Sequence, residues 1–269
     1  AFLIINGVPP ERILLMTFSR RAAVEMRSRA ERIVAQQLQG TARHLKGTEQ
    51  HLTETAKHPL AVNMPWMGTF HSIANRLLRL YAKSIGLEPG FTIMDRSDAA
   101  DVMDMLRQEL GYTRSTKRFP KKVTCLDIYS RCINAQAPLE EILQRDFPWC
   151  AEWQAELTRL FKHYTERKLE QAGLDYDDLL LYWYLMAEEE ELASAIRQRF
   201  DHVLVDEYQD TNILQDGILR RIFPDGRGVT VVGDDAQSIY GFRSAEIDNI
   251  LSFPQQFSPA ARVVKLEQN

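Results

Sequence analysis

His202-Val203-Leu204-Val205-Asp206-Glu207-Tyr208-Gln209-Asp210 decides the fold. A short β-branched run ends in two adjacent carboxylates, the pattern of a buried strand that delivers polar groups at its carboxyl end. Working outward, residues 229–234 repeat the pattern as Val-Thr-Val-Val-Gly-Asp. Residues 12–16, Arg-Ile-Leu-Leu-Met, do so ahead of Thr17-Phe18-Ser19-Arg20-Arg21, and residues 262–266, Arg-Val-Val-Lys-Leu, form a fourth such run. Helix-like segments lie at 211–222 and 245–252, and Ala22, Met26, Ala30, Ile33 and Val34 follow the first run at helical spacing. Strands alternating with helices predict a parallel α/β sheet, whose ligands bind outside the carboxyl ends of its strands.

The middle of the chain reads differently. Apolar stripes predict helices near 72–85, with Ile73, Leu77, Leu80 and Tyr81, near 98–110, and near 151–170. The layout is therefore α/β, a helical insertion, then α/β again. Residues 36–62 are polar and irregular, a solvated helical or mobile insertion; His44, His51 and His58 recur every seven residues there, which does not suit one metal site.

With 269 residues, 45% of them hydrophobic and 26% charged, the chain has material for about two globular domains. A net charge of −4 excludes a uniformly basic histone-like binder, but local patches decide nucleic-acid binding. Three cysteines, Cys125, Cys132 and Cys150, show no pairing pattern and fit a reducing cytosol, so a cytoplasmic location is expected. No apolar run is long enough to cross a bilayer, and the first residues lack the features of a signal peptide, so no membrane partner and no structural metal are expected. The chain begins at Ala1 rather than Met, consistent with a truncation.

Four polar-aromatic clusters sit where the sheet and helix ends should be. In Asp206-Glu207 one carboxylate can hold Mg²⁺ while its neighbour orients and deprotonates a water; alternatively, both acids complement a helix dipole. Gly233-Asp234-Asp235-Ala236-Gln237-Ser238-Ile239-Tyr240-Gly241-Phe242-Arg243 places Gln237 to touch a phosphate. Its Tyr240, Phe242 and Arg243 carry the planar groups that stack on unpaired bases, or else form interdomain core. Thr17, Phe18 and Arg20 offer a hydroxyl, a ring and a cation, and Thr69-Phe70-His71-Ser72 offers the same mixture at a helix start, where backbone N–H groups favour phosphate.

Together these segments resemble the motif set of the UvrD/Rep/PcrA-type superfamily 1 DNA helicases. ILLMTFSRRAA is similar to motif Ia, GTFHSIANRLLR to motif Ib, LDYDDLL (174–180) to the stretch before the Walker B strand, VDEYQDTN to motif II, and VVGDDAQSIYGFRSA to motif III; VVKLEQN resembles the approach to motif IV. The resemblance implies a RecA-like parallel sheet, motor domain 1A, in two parts, 1–67 and 200–269, around a mostly helical subdomain 1B at 68–199. It implies ATP and Mg²⁺ as cofactors, with Asp206 on the metal, Glu207 activating the hydrolytic water, Gln209 aligning that site and Gln237 sensing the γ-phosphate. It implies Thr17, Phe18, Arg20, Thr69, Phe70, His71, Tyr240, Phe242 and Arg243 as contacts to single-stranded DNA. The implied activity is ATP-driven translocation and unwinding, 3′ to 5′, in DNA repair or replication. Single-stranded and junction DNA and a second RecA-like domain of the native chain are the implied partners. Phe242 stands where most members carry Trp, and Ser19-Arg20-Arg21 replaces the usual Thr-Asn-Lys.

No segment matches the phosphate loop GxxxxGK[ST], so this chain by itself is not expected to turn over ATP. Arg114, Lys117, Arg118, Lys121 and Lys122 give residues 112–122 five cations and no acid. The family's 1B subdomain approaches duplex DNA, which makes this patch the expected duplex contact; the alternative is a solvated loop. Two other classes stay open: a nucleic-acid-binding module without turnover, and a metal-dependent nuclease using Asp206, Glu207, Asp234 and Asp235.

Overall fold

The computed structural model describes residues 1–45, 63–114, 118–237 and 248–265. A four-residue helix α1 (Phe2–Ile5) leads through a 3₁₀ turn into β1 (Ile13–Thr17), followed by α2 (Arg20–Leu45). Then come β2 (Met67–Thr69), α3 (Phe70–Tyr81), β3 (Thr92–Ile93), α4 (Arg96–Glu109), α5 (Lys122–Ala135), α6 (Leu139–Asp146) and α7 (Gln154–Glu170). The chain continues through β4 (Gly173–Leu174), α8 (Tyr176–Met186), α9 (Glu190–Arg197), β5 (His202–Val205), α10 (Ile213–Ile222), β6 (Val229–Val231) and α11 (Asp248–Ser252).

Four strands form one parallel sheet in the order β2-β1-β5-β6. β1 is buried along its length, as expected of a central strand covered on both faces. The register pairs Thr17 with Thr69 and Met16 with both Gly68 and Val205. The carboxyl ends of β2, β1 and β5 therefore finish level, and residues 17–20, 69–71 and 206–207 emerge on one edge. The expected α/β class holds, and the expected strands at 12–16, 202–207 and 229–234 are β1, β5 and β6.

Two expectations fail on strands. Residues 262–265 form no strand, and Val263 and Val264 are 62% and 67% exposed. A β-branched run becomes a strand only where an edge is free to pair with it, and this one meets none among the described residues. β2 was invisible in the sequence because Met67-Gly68-Thr69 is too short and too weakly β-prone; pairing with β1 makes it a strand. The start of the polar stretch at 36–62 continues α2 through Leu45, so it is helical as far as it is described, while residues 46–62, with His51 and His58, lie outside the described residues.

The buried side chains gather into two clusters. One packs β1 and β5 against α3, α8 and α10, with Leu14, Phe70, Leu77, Trp183, Val205 and Leu219 at its centre. The other packs α4, α5, α6 and α7 around Met103, Ile128, Ile142 and Leu157. The boundary between the two clusters lies within 68–199: α3, α8 and α9 pack with the sheet cluster, and the helical cluster runs from near Met94 to near Tyr164. The reason is packing. α3 follows directly from a sheet strand, and the all-apolar face of α8 is the surface that covers it.

β3 and β4 pair in parallel at the foot of the helical part, and the chain re-enters the sheet core through α8. Asp175 and Asp178 form a capping box that fixes where α8 starts. Beneath them lies Lys168, 2% exposed, with its Nζ 2.7 Å from Asp175 Oδ2 and 2.6 Å from Asp178 Oδ2. Burial works against the lysine's charge, but the two carboxylates outweigh it and hold its pKa above the ordinary value. Tyr164 donates to Asp175 Oδ2 at 2.8 Å.

Candidate functional site

β5 carries its apolar residues Val203 and Val205 into the core and then turns sharply. The Asp206 N–H donates to Met16 O at 2.9 Å, which ties the first acid to the end of β1. Glu207 adopts φ 53°, ψ 44°, a left-handed conformation that costs a non-glycine residue about 1–2 kcal/mol. That turn is held by what the carboxylate gains: Gln209 Nε2 donates to Glu207 Oε2 at 2.8 Å. Gln209, 1% exposed, also accepts the Asp234 N–H on its Oε1 at 3.0 Å. Asp234 in turn accepts from Gln237 Nε2 at 2.7 Å and from the Ala236 N–H at 3.0 Å. One run of hydrogen bonds thus joins Glu207 to Gln237 through Gln209 and Asp234. Gly233 makes it possible, because a Cβ there would lie 2.5 Å from Gln209 Oε1 and 2.6 Å from Ile250 Cδ1.

Asp206 is half-buried, and burial followed by repulsion from Glu207 raises its pKa. Among the described residues its donor is the Glu207 backbone, and no cation pairs with it. A carboxylate with free lone pairs and an uncompensated charge at a strand end fits a hydrated Mg²⁺, which needs one or two carboxylates and keeps several waters. Asp234 is engaged by Gln237 and Ala236 instead, and among the described residues it forms no metal-holding cluster with Asp206 and Glu207.

The second feature is a cleft of about 1120 Å³ between the sheet edge and the helical part. Thr17, Phe18, Arg20, Thr69, Phe70 and His71 all reach it, so the two clusters at the ends of β1 and β2 meet in one place. They do so unequally. Thr17 is fully buried, and its hydroxyl donates to Ser19 O at 2.9 Å. Phe70 is 3% exposed and packs on Trp183, so it is a core residue that shows the cleft only an edge. Thr69 caps α3 by accepting the Ser72 N–H at 3.3 Å. His71 packs edge-on against Tyr176 with ring centroids 5.8 Å apart. Burial, reinforced by the Arg20 charge, lowers its pKa to about 4, so its imidazole is neutral at pH 7 and offers a ring rather than a cation.

The opposite wall was not read from the sequence. Tyr176, the first residue of α8, projects into the cleft from between its two capping acids. An aromatic residue at an exposed helix start, in the LDYDDLL segment, was the available signal. Asn134 had none. It accepts from Asn212 Nδ2 at 2.7 Å across 78 residues of sequence and donates to Asp177 Oδ1 at 2.7 Å. This joins the end of the DEYQDTN segment to α5 and α8. Asp210 also faces the cleft with a buried Oδ1 that lacks a partner among the described residues, and burial followed by Glu207 raises its pKa.

Asp206, Glu207 and Gln237 do not line this cleft. The acid edge and the cleft are separate features joined by the turn Tyr208–Asp210. Tyr240, Phe242 and Arg243 lie outside the described residues. So does Lys117 of the basic patch, and the Arg114 side chain is likewise not described. Lys122 is engaged, with Nζ 2.5 Å from Asp101 Oδ1, which leaves Arg118 and Lys121 without an ion-pair partner among the described residues. Among those residues no three His, Cys, Asp or Glu side chains gather at one point, and no helix is long and apolar enough to cross a membrane. The cysteines are free, and burial pushes the Cys125 thiol up to about 12.

Comparison with known proteins places these features. The family model for the UvrD/REP helicase N-terminal domain matches residues 1–258. The ATP-dependent DNA helicase PcrA of Staphylococcus epidermidis is 32% identical over 266 residues, which are 98% of this chain and 32% of that protein. DNA helicase II of Haemophilus influenzae is 33% identical over 269 residues, 98% of this chain and 33% of its own length. A probable DNA helicase II homolog of Mycoplasma capricolum is 31% identical over 277 residues, again 98% of this chain. The chain spans about a third of the length of the curated relatives it matches. With a parallel sheet whose motif residues emerge on one edge, and a family match over almost all of its length, the chain belongs to the UvrD/REP helicase N-terminal domain family.

Proposed function

We propose that this chain is the first-motor-domain portion of an ATP-dependent DNA helicase that couples ATP hydrolysis to 3′-to-5′ movement on single-stranded DNA and duplex unwinding, in repair or replication. The observation that carries this reading is the hydrogen-bond run from Glu207 through Gln209 and Asp234 to Gln237, set beside a cleft lined with rings and cations. Asp206 would hold Mg²⁺, which would neutralise charge on the nucleotide phosphates. Glu207, fixed by Gln209, would orient the attacking water and take its proton. Gln237 would meet the γ-phosphate. Its loss or gain would pull on Asp234 and Gln209, and through the turn Tyr208–Asp210 on the cleft wall.

Thr69, His71, Phe18, Arg20 and Tyr176 would hold the unpaired strand, with rings against bases and the cation against phosphate. Tyr240, Phe242 and Arg243 belong to the same reading from the sequence. The phosphate cradle would come from outside this chain, and the nucleotide would lie between this part and a second RecA-like domain. The two packing clusters support drawing the helical 1B unit as roughly 94–164, with α3, α8 and α9 as parts of 1A. Free cysteines and bacterial relatives support a cytosolic place of work.

The test is Glu207→Gln in the full-length protein. Strand binding stays within about twofold while ATP turnover falls by at least about 10²-fold, the scale of losing a positioned base. Turnover near the wild-type rate overturns the assignment.

A further inference from the structure

The helical part carries a second hollow, of about 340 Å³, lined by Arg118, Phe119, Lys121, Trp149 and Trp153 among others. Trp149 is 68% exposed, whereas Trp66 is 7% exposed and Trp183 fully buried. Pro148 begins the 3₁₀ turn that presents it, so the ring is held out on a short rigid support. A single exposed ring is ordinary. This one has company: Phe119 and Trp153 pack edge to face at 5.3 Å behind it, and the exposed cations Arg118 and Lys121 have no ion-pair partner among the described residues. A protruding indole flanked by uncompensated cations is the chemistry that holds an unpaired nucleotide, base on ring and phosphate on cation.

The hollow adjoins the cleft across a ridge of two rings. Phe147 lines the cleft, Trp149 lines the hollow, and their ring centroids lie 5.7 Å apart. Arg145, two residues before Phe147, stands on the cleft side of the same ridge. Rings therefore run from Tyr176 across Phe147 and Trp149, with Arg145, ion-paired to Glu141 and Asp146, on the cleft side and Arg118 and Lys121 on the far side.

We propose that the Trp149 hollow is an outlying subsite for the same unpaired strand that occupies the cleft. It takes a nucleotide by stacking on Trp149 and by phosphate contact to Arg118 and Lys121. This rests on the cleft being a strand-binding site. It departs from the duplex contact expected for the basic patch, because a stacking ring needs an unpaired base.

The experiment is intrinsic fluorescence titration of the full-length protein with oligothymidylates of about 4 and about 16 nucleotides, which span single-strand site sizes. The long strand quenches emission, and Trp149→Ala removes that quench. Trp149→Ala weakens long-strand binding about 5- to 100-fold, the range of one lost base stack, and leaves the short strand unchanged, while Trp149→Phe retains most of the affinity. Lys121→Ala lowers the salt dependence of long-strand binding by about 0.7 in log–log slope, the value for one single-strand phosphate. Unchanged long-strand affinity in Trp149→Ala overturns the proposal. So does an equal loss for both lengths, and so does a blunt duplex that quenches Trp149 as well as the strand does. Failure of the cleft reading looks different: Phe18→Ala and Tyr176→Ala would then leave short-strand binding intact.

Discussion

Two regions of this molecule bury carboxylates, and they treat them in opposite ways. At the foot of α8, Asp175 and Asp178 share a buried lysine, a tyrosine hydroxyl and each other's backbone N–H groups. At the end of β5, among the described residues, Asp206 has only its neighbour's backbone N–H, and Asp210 keeps a buried oxygen with no partner. The first cluster supplies its own counter-charge and so serves the scaffold. The second leaves charge uncompensated among the described residues, a cost that fits the outside cation proposed for the end of β5. The distinction can be broken or sharpened by substitution, and the largest effect lies in the scaffold. Lys168→Met leaves two buried carboxylates facing each other and should lower unfolding free energy by about 3–5 kcal/mol, read from a denaturant midpoint. Adding Asp175→Asn and Asp178→Asn to it recovers part of that loss. A single Lys168→Met variant as stable as the parent would mean that the cluster is already open to water.

A smaller effect lies on the seam between the regions. Asn134 joins Asn212 at the sheet end to Asp177 at the start of α8. Asn134→Ala strands both partners and should cost about 1–2 kcal/mol of stability, the penalty for unsatisfied polar groups in a partly buried place. If the seam also carries motion between the acid edge and the cleft, the same variant lowers strand-stimulated ATP turnover in the full-length protein more than it lowers basal turnover. Equal losses would leave Asn134 with packing alone.

Protonation separates the regions by sign. Burial, then Asp175, raises Asp178 to about 6. Between its ordinary value and 6 the folded state binds more protons at this site than the unfolded chain does, so its contribution falls as pH rises through that window. His71 in the cleft is lowered to about 4, by burial and then Arg20. Below its ordinary 6.5 the unfolded chain binds the proton first, so the His71 contribution grows as pH rises from 4 to 6.5. The two slopes oppose each other in overlapping windows. Asp178→Asn should therefore make stability rise more steeply with pH below 6, and His71→Gln should make it rise less. Strand affinity should not follow His71 from about pH 5 to about pH 8, because the ring is neutral throughout. Affinity that falls as pH rises through 6.5 would make it a phosphate-binding cation instead.

The contrast also explains what could be read from the sequence. The acid edge was legible because each element of it is local: β-branched strands announce β1, β5 and β6, and the polar residues that follow them are adjacent in the chain. The clusters at Thr17–Arg20 and Thr69–His71 were legible one by one, and the parallel register brings them together. Across the cleft, Asn134 meets Asn212 over 78 residues, and no spacing rule reaches that far. Nothing in the sequence marks Lys168 as the partner of Asp175 and Asp178, because burial is a tertiary fact. The same limit undid the strand expected at 262–266, of which residues 262–265 meet no edge among the described residues.

The smallest expected change in stability is the most informative. Asp206→Asn removes a half-buried charge that repels Glu207 and has no described cation beside it. The amide keeps the shape, and the Asp206 N–H bond to Met16 O is untouched. Stability should therefore hold or rise by up to about 1 kcal/mol at pH 7, while Mg²⁺-dependent turnover in the full-length protein collapses. Scaffold residues cannot behave this way, since their substitution exposes a need that the native contact was meeting. A carboxylate whose removal relaxes the fold is being kept for something the fold does not contain. If Asp206→Asn instead unfolded the protein as Lys168→Met should, the two carboxylate clusters would be of one kind, and the case for a cation at the end of β5 would fall with the distinction.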